Sequence, residues 1–316
     1  MVNLRDLLLQ PPLPNGTSSF HRLPGAGKPS LSHKNWAREY PEVQNLRLHV
    51  NPTEADINEV FGSEDALDEY LLNKEGSPLN VTTEWLQTEG DSVRTFYTKV
   101  AKPIQLAVQP FITLRSESGP LGPTNVNQTI DFTWGCGEHC LVIGELKRHG
   151  MIDVETWTGR AGTDSNRTWL GKELRGYCHK YKCFAGTVFD GQHLLTLIFQ
   201  AQTARNIREQ NCEVIGLLFS RDHGTLRYGL FRTLTHQIRR MQADRAPAVN
   251  VDGYFRGFEW WSGIPYWVDG NGEHEAHPNG YIRLLDPSGA WYWADANGNP
   301  VLYQDGQRVW DTLSLG

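Results

Sequence analysis

The sequence lacks the features that would direct it into a membrane or out of the cell. No apolar run approaches the length of about 20 residues that spans a bilayer. The leucine run near the start lies beside Asp6 and is too short for the apolar part of a secretory signal. We therefore predict an intracellular protein, cytoplasmic or nuclear, with no membrane partner.

Cysteine is also scarce, and its five copies are an odd number, which argues against a disulfide framework and fits a reducing compartment. Cys136 with Cys140, and Cys178 with Cys183, form close pairs that each enclose a histidine. These spacings are looser than usual zinc motifs, and Cys178 and Cys183 should leave one helix in different directions. We expect buried free thiols rather than zinc, with a zinc-stabilised protein of unrelated function as an alternative.

The net charge of −6 does not suggest a protein that coats nucleic acid by bulk attraction. Lysine and arginine are nevertheless concentrated in residues 147–182 and 205–245, whereas the chain after Val251 is acidic. A locally basic surface would suit a polyanion such as nucleic acid. The alternative is that these residues are ordinary solvated helix faces.

With 39% hydrophobic and 21% charged residues, the 316-residue chain has the composition of an ordinary soluble protein. Its pattern divides it into a flexible Pro/Gly-rich leader at 1–50, an α/β domain at 51–249 and a Trp/Gly-rich β-hairpin extension at 250–316. Helical and β-rich segments alternate in the middle part. This order predicts an α/β (α+β) sandwich, with a mixed central sheet flanked by helices.

The segment TIDFTWGCGEHCLVIGELKR, residues 129–148, reads as a β-hairpin with its turn near Glu138. Antiparallel pairing then sets Asp131 opposite Glu145, with Lys147 on the same face. The second strand is apolar on both sides, where a lone charge costs several kcal/mol unless it has a partner. Charges at these positions therefore require a reason.

Two facing carboxylates can hold a hard cation such as Mg²⁺, and a nearby ammonium could orient or help deprotonate one of its waters. This combination is typical of phosphodiester hydrolysis. The alternatives are that Lys147 only forms an ion pair with Asp131 or Glu145, or that a register shift separates the faces.

The D…ExK hairpin, followed by the helix KELRGYCHKYKCF and the β-run TVFDGQHLLTLIF, resembles the PD-(D/E)xK nuclease superfamily. More narrowly, the chain is similar to a group of fungal proteins with a nuclease-like core. The resemblance covers residues 92–200 and implies a restriction-endonuclease-like core. The sequence departs from the family pattern at Ile130, where many members have proline.

The resemblance implies that Asp131 and Glu145 bind Mg²⁺ or Mn²⁺ and that Lys147 positions the attacking water. It also implies an assisting polar residue on the next core helix, for which the candidates are Glu173, Arg175 or Tyr177, and a further acid on the first helix, Glu89 or Asp91. Many nucleases of this fold act on DNA or RNA as homodimers, which is the assembly that the resemblance implies here.

A different class of function also fits the sequence. After residue 250, tryptophan and tyrosine alternate with Asp-Gly, Asn-Gly and Pro-Ser-Gly turns, which predicts short hairpins. Their aromatic side chains could bind a protein or a glycan, while the nuclease-like scaffold has lost catalysis. They could equally fill a small core of their own.

Overall fold

The structure is a computed structural model that describes residues 2–12, 35–76, 89–109, 111–118, 130–162, 165–209 and 212–315. The helices, in chain order, are α1 (Leu4–Leu8), α2 (Glu54–Phe61), α3 (Ala66–Leu72), α4 (Glu89–Thr95), α5 (Lys102–Val108), α6 (Val154–Trp157), α7 (Ser165–Tyr181), α8 (Ala204–Glu209) and α9 (Leu226–Asp244). A 3₁₀ turn at Asn35–Glu39 and a π-helical segment at Phe96–Ala101 add to them.

The strands, in chain order, are β1 (Val2–Asn3), β2 (Leu46–Val50), β3 (Glu75–Gly76), β4 (Thr113–Ser118), β5 (Ile130–Cys136), β6 (His139–Leu146), β7 (Ala185–Phe189), β8 (His193–Phe199), β9 (Val214–Ser220), β10 (Asn250–Val251), β11 (Tyr254–Phe258), β12 (Pro265–Asp269), β13 (Gly272–His274), β14 (Ile282–Leu285) and β15 (Trp291–Ala294).

The centre of the molecule is a seven-stranded sheet in the order β2-β9-β8-β7-β6-β5-β4. The pairs β2/β9 and β6/β7 are parallel, and the other neighbours are antiparallel. The crossover between β6 and β7 contains α7, as a parallel connection requires. The expected mixed α/β architecture, with a central sheet flanked by helices, is confirmed. Among the described helices, none has both the length and the apolar character needed to cross a membrane.

The sheet is buried on both faces. Phe132, Val142 and Leu146 project toward the side covered by α4, α5 and α9, whereas Ile143 projects toward α7. Leu141 also belongs to the first cluster, although strict alternation along the strand would put it on the face of Ile143. The reason is a register shift in the β5–β6 pairing between Trp134 and Gly135, because such an irregularity reverses the alternation of side chains beyond it.

The prediction of a flexible leader at residues 1–50 is wrong for the part of this range that the structure describes. Strand β1 and helix α1 begin the chain, with Leu4, Leu7 and Leu8 buried in the first core cluster. Strand β2 is an edge strand of the central sheet and pairs with β9. Most of the Pro/Gly-rich stretch that suggested the leader, residues 13–34, lies outside the described residues.

Pro103 does not break the helix that contains it. A proline inside a helix removes one N–H and crowds the carbonyl four residues earlier, here that of Lys99. The chain accommodates it with the π-helical segment between α4 and α5, in which Lys102 N–H donates to Tyr97 O. The Lys99 carbonyl accepts instead from Nε of Arg227, at 2.8 Å.

The guanidinium of Arg227 therefore links three segments. It is fully buried on α9, and its Nη1 also donates to Leu7 O at 2.9 Å and to Gln10 O at 3.4 Å. Burial lowers its pKa to about 9. The guanidinium supplies the hydrogen-bond donor that Pro103 lacks, and it holds α1 against α9.

The C-terminal region forms the expected short hairpins. Strands β10 to β13 make one sheet and β14 with β15 another, around a small core that contains Trp267 and Trp293. This region also contacts the main domain, because the amide of Gln242 donates to Gly289 O at 2.7 Å and the thiol of Cys136 to Leu315 O at 3.2 Å.

Replacing Arg227 by methionine should lower the free energy of unfolding by about 2–5 kcal/mol, because buried carbonyls would lose their donor. Chemical denaturation monitored by circular dichroism measures this. Arg205→Met is the matched control, since its side chain is 81% exposed and pairs with Glu209 on the surface; it should change stability by less than about 0.5 kcal/mol. Equal effects of the two substitutions would refute the linking role of Arg227.

Candidate functional site

The β5–β6 hairpin brings Asp131 and Glu145 together. Phe132 pairs with Gly144, so the next residues outward, Asp131 and Glu145, are opposite each other, as the sequence predicted. The Leu146 N–H donates to Oδ2 of Asp131 at 2.6 Å, which fixes this carboxylate at the end of β6. Glycine is required at 144, because a Cβ there would lie 1.8 Å from Cζ of Phe132.

Lys147 lies directly after β6, and its ammonium contacts two buried carboxylates. Nζ is 2.9 Å from Oε2 of Glu145 and 3.4 Å from Oε1 of Glu173 on α7. The two glutamates are 3% and 4% exposed, so water contributes little to their solvation. The main chain of the lysine is fixed as well, because its N–H donates to Phe189 O at 2.9 Å.

The electrostatics of this cluster hold Lys147 in its charged form. Burial acts to lower the pKa of the ammonium, but the carboxylates of Glu145, Glu173 and Asp131 raise it well above its ordinary value. Because the folded-state pKa lies above that of the unfolded chain, the interaction stabilises the fold below about pH 10 as long as the carboxylates are ionised, and it is lost as the pH rises through the folded-state value.

Tyr177 completes the cluster from one helical turn beyond Glu173. Burial raises the pKa of its phenol, and the charges of Glu145 and Glu173 and a hydrogen bond to Glu145 raise it further. The ring of Trp36 packs edge-on against it, with centroids 5.0 Å apart. Tyr177 is therefore a neutral hydroxyl donor that faces the carboxylate of Glu145.

A residue that the sequence indicated only as a turn signal supports the site. Asp190 is fully buried, and its carboxylate accepts from four backbone N–H groups: Gly150, Ile152, Gln192 and His193, at 2.7 to 3.1 Å. It joins the β7–β8 turn to the loop that follows Lys147. An Asp-Gly pair such as 190–191 is typical of a tight turn, but nothing in the sequence indicates the contact with residues 150–152.

Of the predicted site residues, five come together and Arg175 does not. Asp131, Glu145, Lys147, Glu173 and Tyr177 share one end of the sheet. Arg175 is fully buried, and its guanidinium donates to Ile207 O at 3.5 Å and lies 5.5 Å from the Phe199 ring centroid. Its position two residues after Glu173 turns it toward another side of α7, because a helix advances about 100° per residue. Its placement therefore does not support its assignment to the site.

The remaining candidate acids, Glu89 and Asp91, belong to α4, but their side chains lie outside the described part of the chain. Within that part, no group of three or more His, Cys, Asp or Glu residues is arranged to hold a metal ion. Asp131 and Glu145 form a donor set of two carboxylates. Such a set fits Mg²⁺ or Mn²⁺, because Mg²⁺ is usually bound through one or two carboxylates and keeps several waters.

Acidic partners interrupt the basic surface that the sequence suggested around α7 and α8. Lys172 lies 3.5 Å from Glu42, and Arg205 and Arg208 pair with Glu209 and Glu39 at 2.8 and 3.9 Å. The cations of these helices are therefore partly compensated.

Cys178 and Cys183 do not point apart as predicted. Side-chain hydrogen bonds link the thiol of Cys183 to those of Cys178 and Cys140. The helix ends at Tyr181, and Lys182 has a positive φ of 53°, so the chain turns back before Cys183. The prediction that one helix contains both Cys178 and Cys183 is therefore wrong, and so is the direction of Cys183 that followed from it.

A double-mutant cycle on Lys147 and Glu173 tests the buried charge cluster. Lys147→Met should lower the free energy of unfolding by about 3 kcal/mol, because it leaves buried carboxylates without their cation. In the double variant Lys147→Met/Glu173→Gln, the loss should be smaller than the sum of the single losses. Lys172→Met, which removes a surface ion pair, is the control and should cost less than about 1 kcal/mol. Strict additivity in urea denaturation would contradict the coupling.

Comparison of the chain with protein-family models, with curated proteins and with solved structures gave no match. The arrangement of the site residues is therefore the basis for assigning a function.

Proposed function

We propose that the protein is a divalent-metal-dependent phosphodiester hydrolase of the PD-(D/E)xK nuclease type. The observation that supports it best is the position of the Lys147 ammonium, 2.9 Å from Glu145, at the end of the sheet where Asp131 also lies. The strand order supports it further, since β5 and β6 are antiparallel and β7 follows through α7 in parallel with β6. A nuclease-like core of this superfamily has the same order.

The roles of the residues follow from their charges. Asp131 and Glu145 would hold Mg²⁺ or Mn²⁺, which supplies a Lewis acid for the scissile phosphate. The carboxylates raise the pKa of Lys147, so its ammonium would donate hydrogen bonds to the attacking water or to a phosphoryl oxygen.

Glu173 and Tyr177 orient Lys147 and Glu145 and do not contact the substrate themselves. Glu173 is the second carboxylate partner of Lys147 and directs the ammonium from α7, at 3.4 Å. Tyr177 donates to Glu145 and orients its carboxylate. Both are positioning residues, and DNA and RNA are equally compatible with this arrangement.

Purified protein should cleave DNA or RNA in the presence of Mg²⁺ or Mn²⁺. Asp131→Asn, which removes a charge but keeps the shape, should reduce cleavage by at least about a hundredfold because it weakens charge stabilisation in the transition state. Glu155→Gln, an exposed carboxylate paired with Arg160, is the matched control and should leave activity unchanged. Gel assays on single- and double-stranded substrates measure both.

Calorimetric titration of Mn²⁺ separates metal binding from catalysis. Wild type and Glu155→Gln should bind Mn²⁺, and Asp131→Asn should bind it much more weakly. If the wild type cleaves no nucleic acid, or if Asp131→Asn cleaves as fast as wild type, the proposal is wrong.

A cavity in the C-terminal region favours a second function, the binding of a glycan. Its volume is about 660 Å³, and its walls include Leu302, Tyr303 and the carboxylates of Asp252 and Asp305. Small-molecule sites commonly measure about 300–1,000 Å³. An exposed tyrosine beside carboxylate acceptors suits the apolar faces and hydroxyls of a sugar. This function is compatible with either an active or an inactive nuclease-like domain.

Tyr303→Ala should abolish binding to immobilised oligosaccharides in an array experiment, because it removes the aromatic wall of the cavity. Tyr70→Ala, an equally exposed tyrosine on α3, is the control and should retain binding. The glycan proposal fails if wild type binds no oligosaccharide or if Tyr303→Ala binds as strongly as wild type.

A further inference from the structure

Three cysteines meet at the end of the sheet opposite the carboxylates. Cys140 lies in β6, Cys183 comes just before β7, and Cys178 is in the last turn of α7. Val142 pairs with Ala185 in the parallel β6–β7 ladder, which brings the start of β6 beside the segment that leads into β7. Cys178 and Cys183 belong to the same buried hydrophobic cluster, and Cys140 packs against it.

The thiols of this cluster are in contact. Side-chain hydrogen bonds connect the thiol of Cys183 with those of Cys140 and Cys178. Sγ of Cys183 is also 3.8 Å from Ala185 O. The main chain keeps Cys183 near the helix end, because its N–H donates to Cys178 O at 3.0 Å. All three are free cysteines.

Only Cys140 borders open space. Cys178 and Cys183 are at most 1% exposed, whereas Cys140 is half-buried and lines a cavity of about 250 Å³. The same cavity is lined by the cations Lys182, Arg240 and Arg245 and by one carboxylate, Asp244. A small neutral oxidant can therefore reach the cluster from this side.

The surroundings also favour a thiolate. Burial opposes ionisation of Cys183, but the hydrogen bonds from the two neighbouring thiols outweigh it and lower its pKa to about 5. The hydrogen bond to Cys183 and burial raise the pKa of Cys140 well above its ordinary value, so Cys183 is the thiolate of the pair and Cys140 is the thiol.

We propose that Cys140 and Cys183 form an oxidisable thiol pair that hydrogen peroxide converts to a disulfide. The thiolate of the pair attacks one oxygen of the peroxide; a sulfur–oxygen bond forms, the oxygen–oxygen bond breaks, and hydroxide leaves and takes a proton to become water. The second sulfur then attacks the sulfenic acid, the disulfide forms, and the sulfenic oxygen leaves as a second water. One peroxide is reduced for each pair of thiols oxidised.

This site is separate from the proposed hydrolase site. Cys140 lies near the start of β6 and Glu145 near its end, and the cavity wall contains none of the carboxylates described above. The inference therefore does not depend on nuclease activity. The disulfide would covalently join β6 to the segment that leads into β7.

The test treats the full-length protein with hydrogen peroxide and counts the remaining thiols by alkylation under denaturing conditions. The five thiols of the reduced chain should fall to three in wild type. Non-reducing tryptic mapping then identifies the joined peptides. Trypsin separates Cys178 from Cys183 at Lys180 and Lys182, but it leaves Cys136 and Cys140 on one peptide, because residues 116–146 contain no lysine or arginine.

Cys136→Ser resolves this ambiguity and is the matched control. It removes a thiol from the same hairpin that contacts Leu315 instead of the cluster. It should therefore retain the cross-link, now assigned to Cys140, and keep two reduced thiols. Cys140→Ser should keep all four of its thiols after the same treatment.

Several outcomes would overturn the proposal: no loss of thiols in wild type, a cross-link between Cys178 and Cys183, or a cross-link that persists in Cys140→Ser. If Cys140→Ser does not fold, mapping in the Cys136→Ser protein decides the question alone, because it shows directly which peptides are joined.

Discussion

The ammonium of Lys147 between two buried carboxylates is the interaction that organises this side of the molecule. Strand β6 is covered on both faces, so Glu145 at its end needs a cation, and Lys147 needs more than one anion to offset its own desolvation. Glu173 supplies the second carboxylate, which fixes the rotation of α7 about its axis. That rotation in turn directs Tyr177 toward Glu145 and Arg175 away from it.

A second constraint organises the helices on the other face of the sheet, away from α7. It involves backbone carbonyls rather than carboxylates. Pro103 deprives the Lys99 carbonyl of its helical donor, and the buried guanidinium of Arg227 replaces that donor. The same group bonds to Leu7 O, so the start of the chain is part of the folded domain. A single arginine thus connects an irregular helix with an amino-terminal segment whose own sequence is too short to fold alone.

The parts of this structure that the sequence predicted are local. The β5–β6 hairpin follows from a turn signal between two β-rich runs. The pairing next to the turn, Cys136 with His139, would by itself set Asp131 opposite Gly144, and the register shift between Trp134 and Gly135 moves Asp131 opposite Glu145. The surroundings of Arg175 and the direction of Cys183 relative to Cys178 could not be predicted locally, because they come from distant segments: Ile207 O in α8 accepts from Arg175, and the β6–β7 pairing lies beside Cys183. Strand β2 was missed because its partner, β9, follows more than 160 residues later.

The charge balance of the cluster also bears on how one set of residues could both stabilise the fold and act on a substrate. If Lys147 had Glu145 as its only partner, any cation bound by that carboxylate would leave a buried ammonium without an anion, at a cost of several kcal/mol. Glu173 removes this conflict, because it remains as a partner for the ammonium when Glu145 is engaged elsewhere. Because Glu173 lies on a different element, α7, it would keep an anion beside Lys147 if Glu145 bound a metal ion.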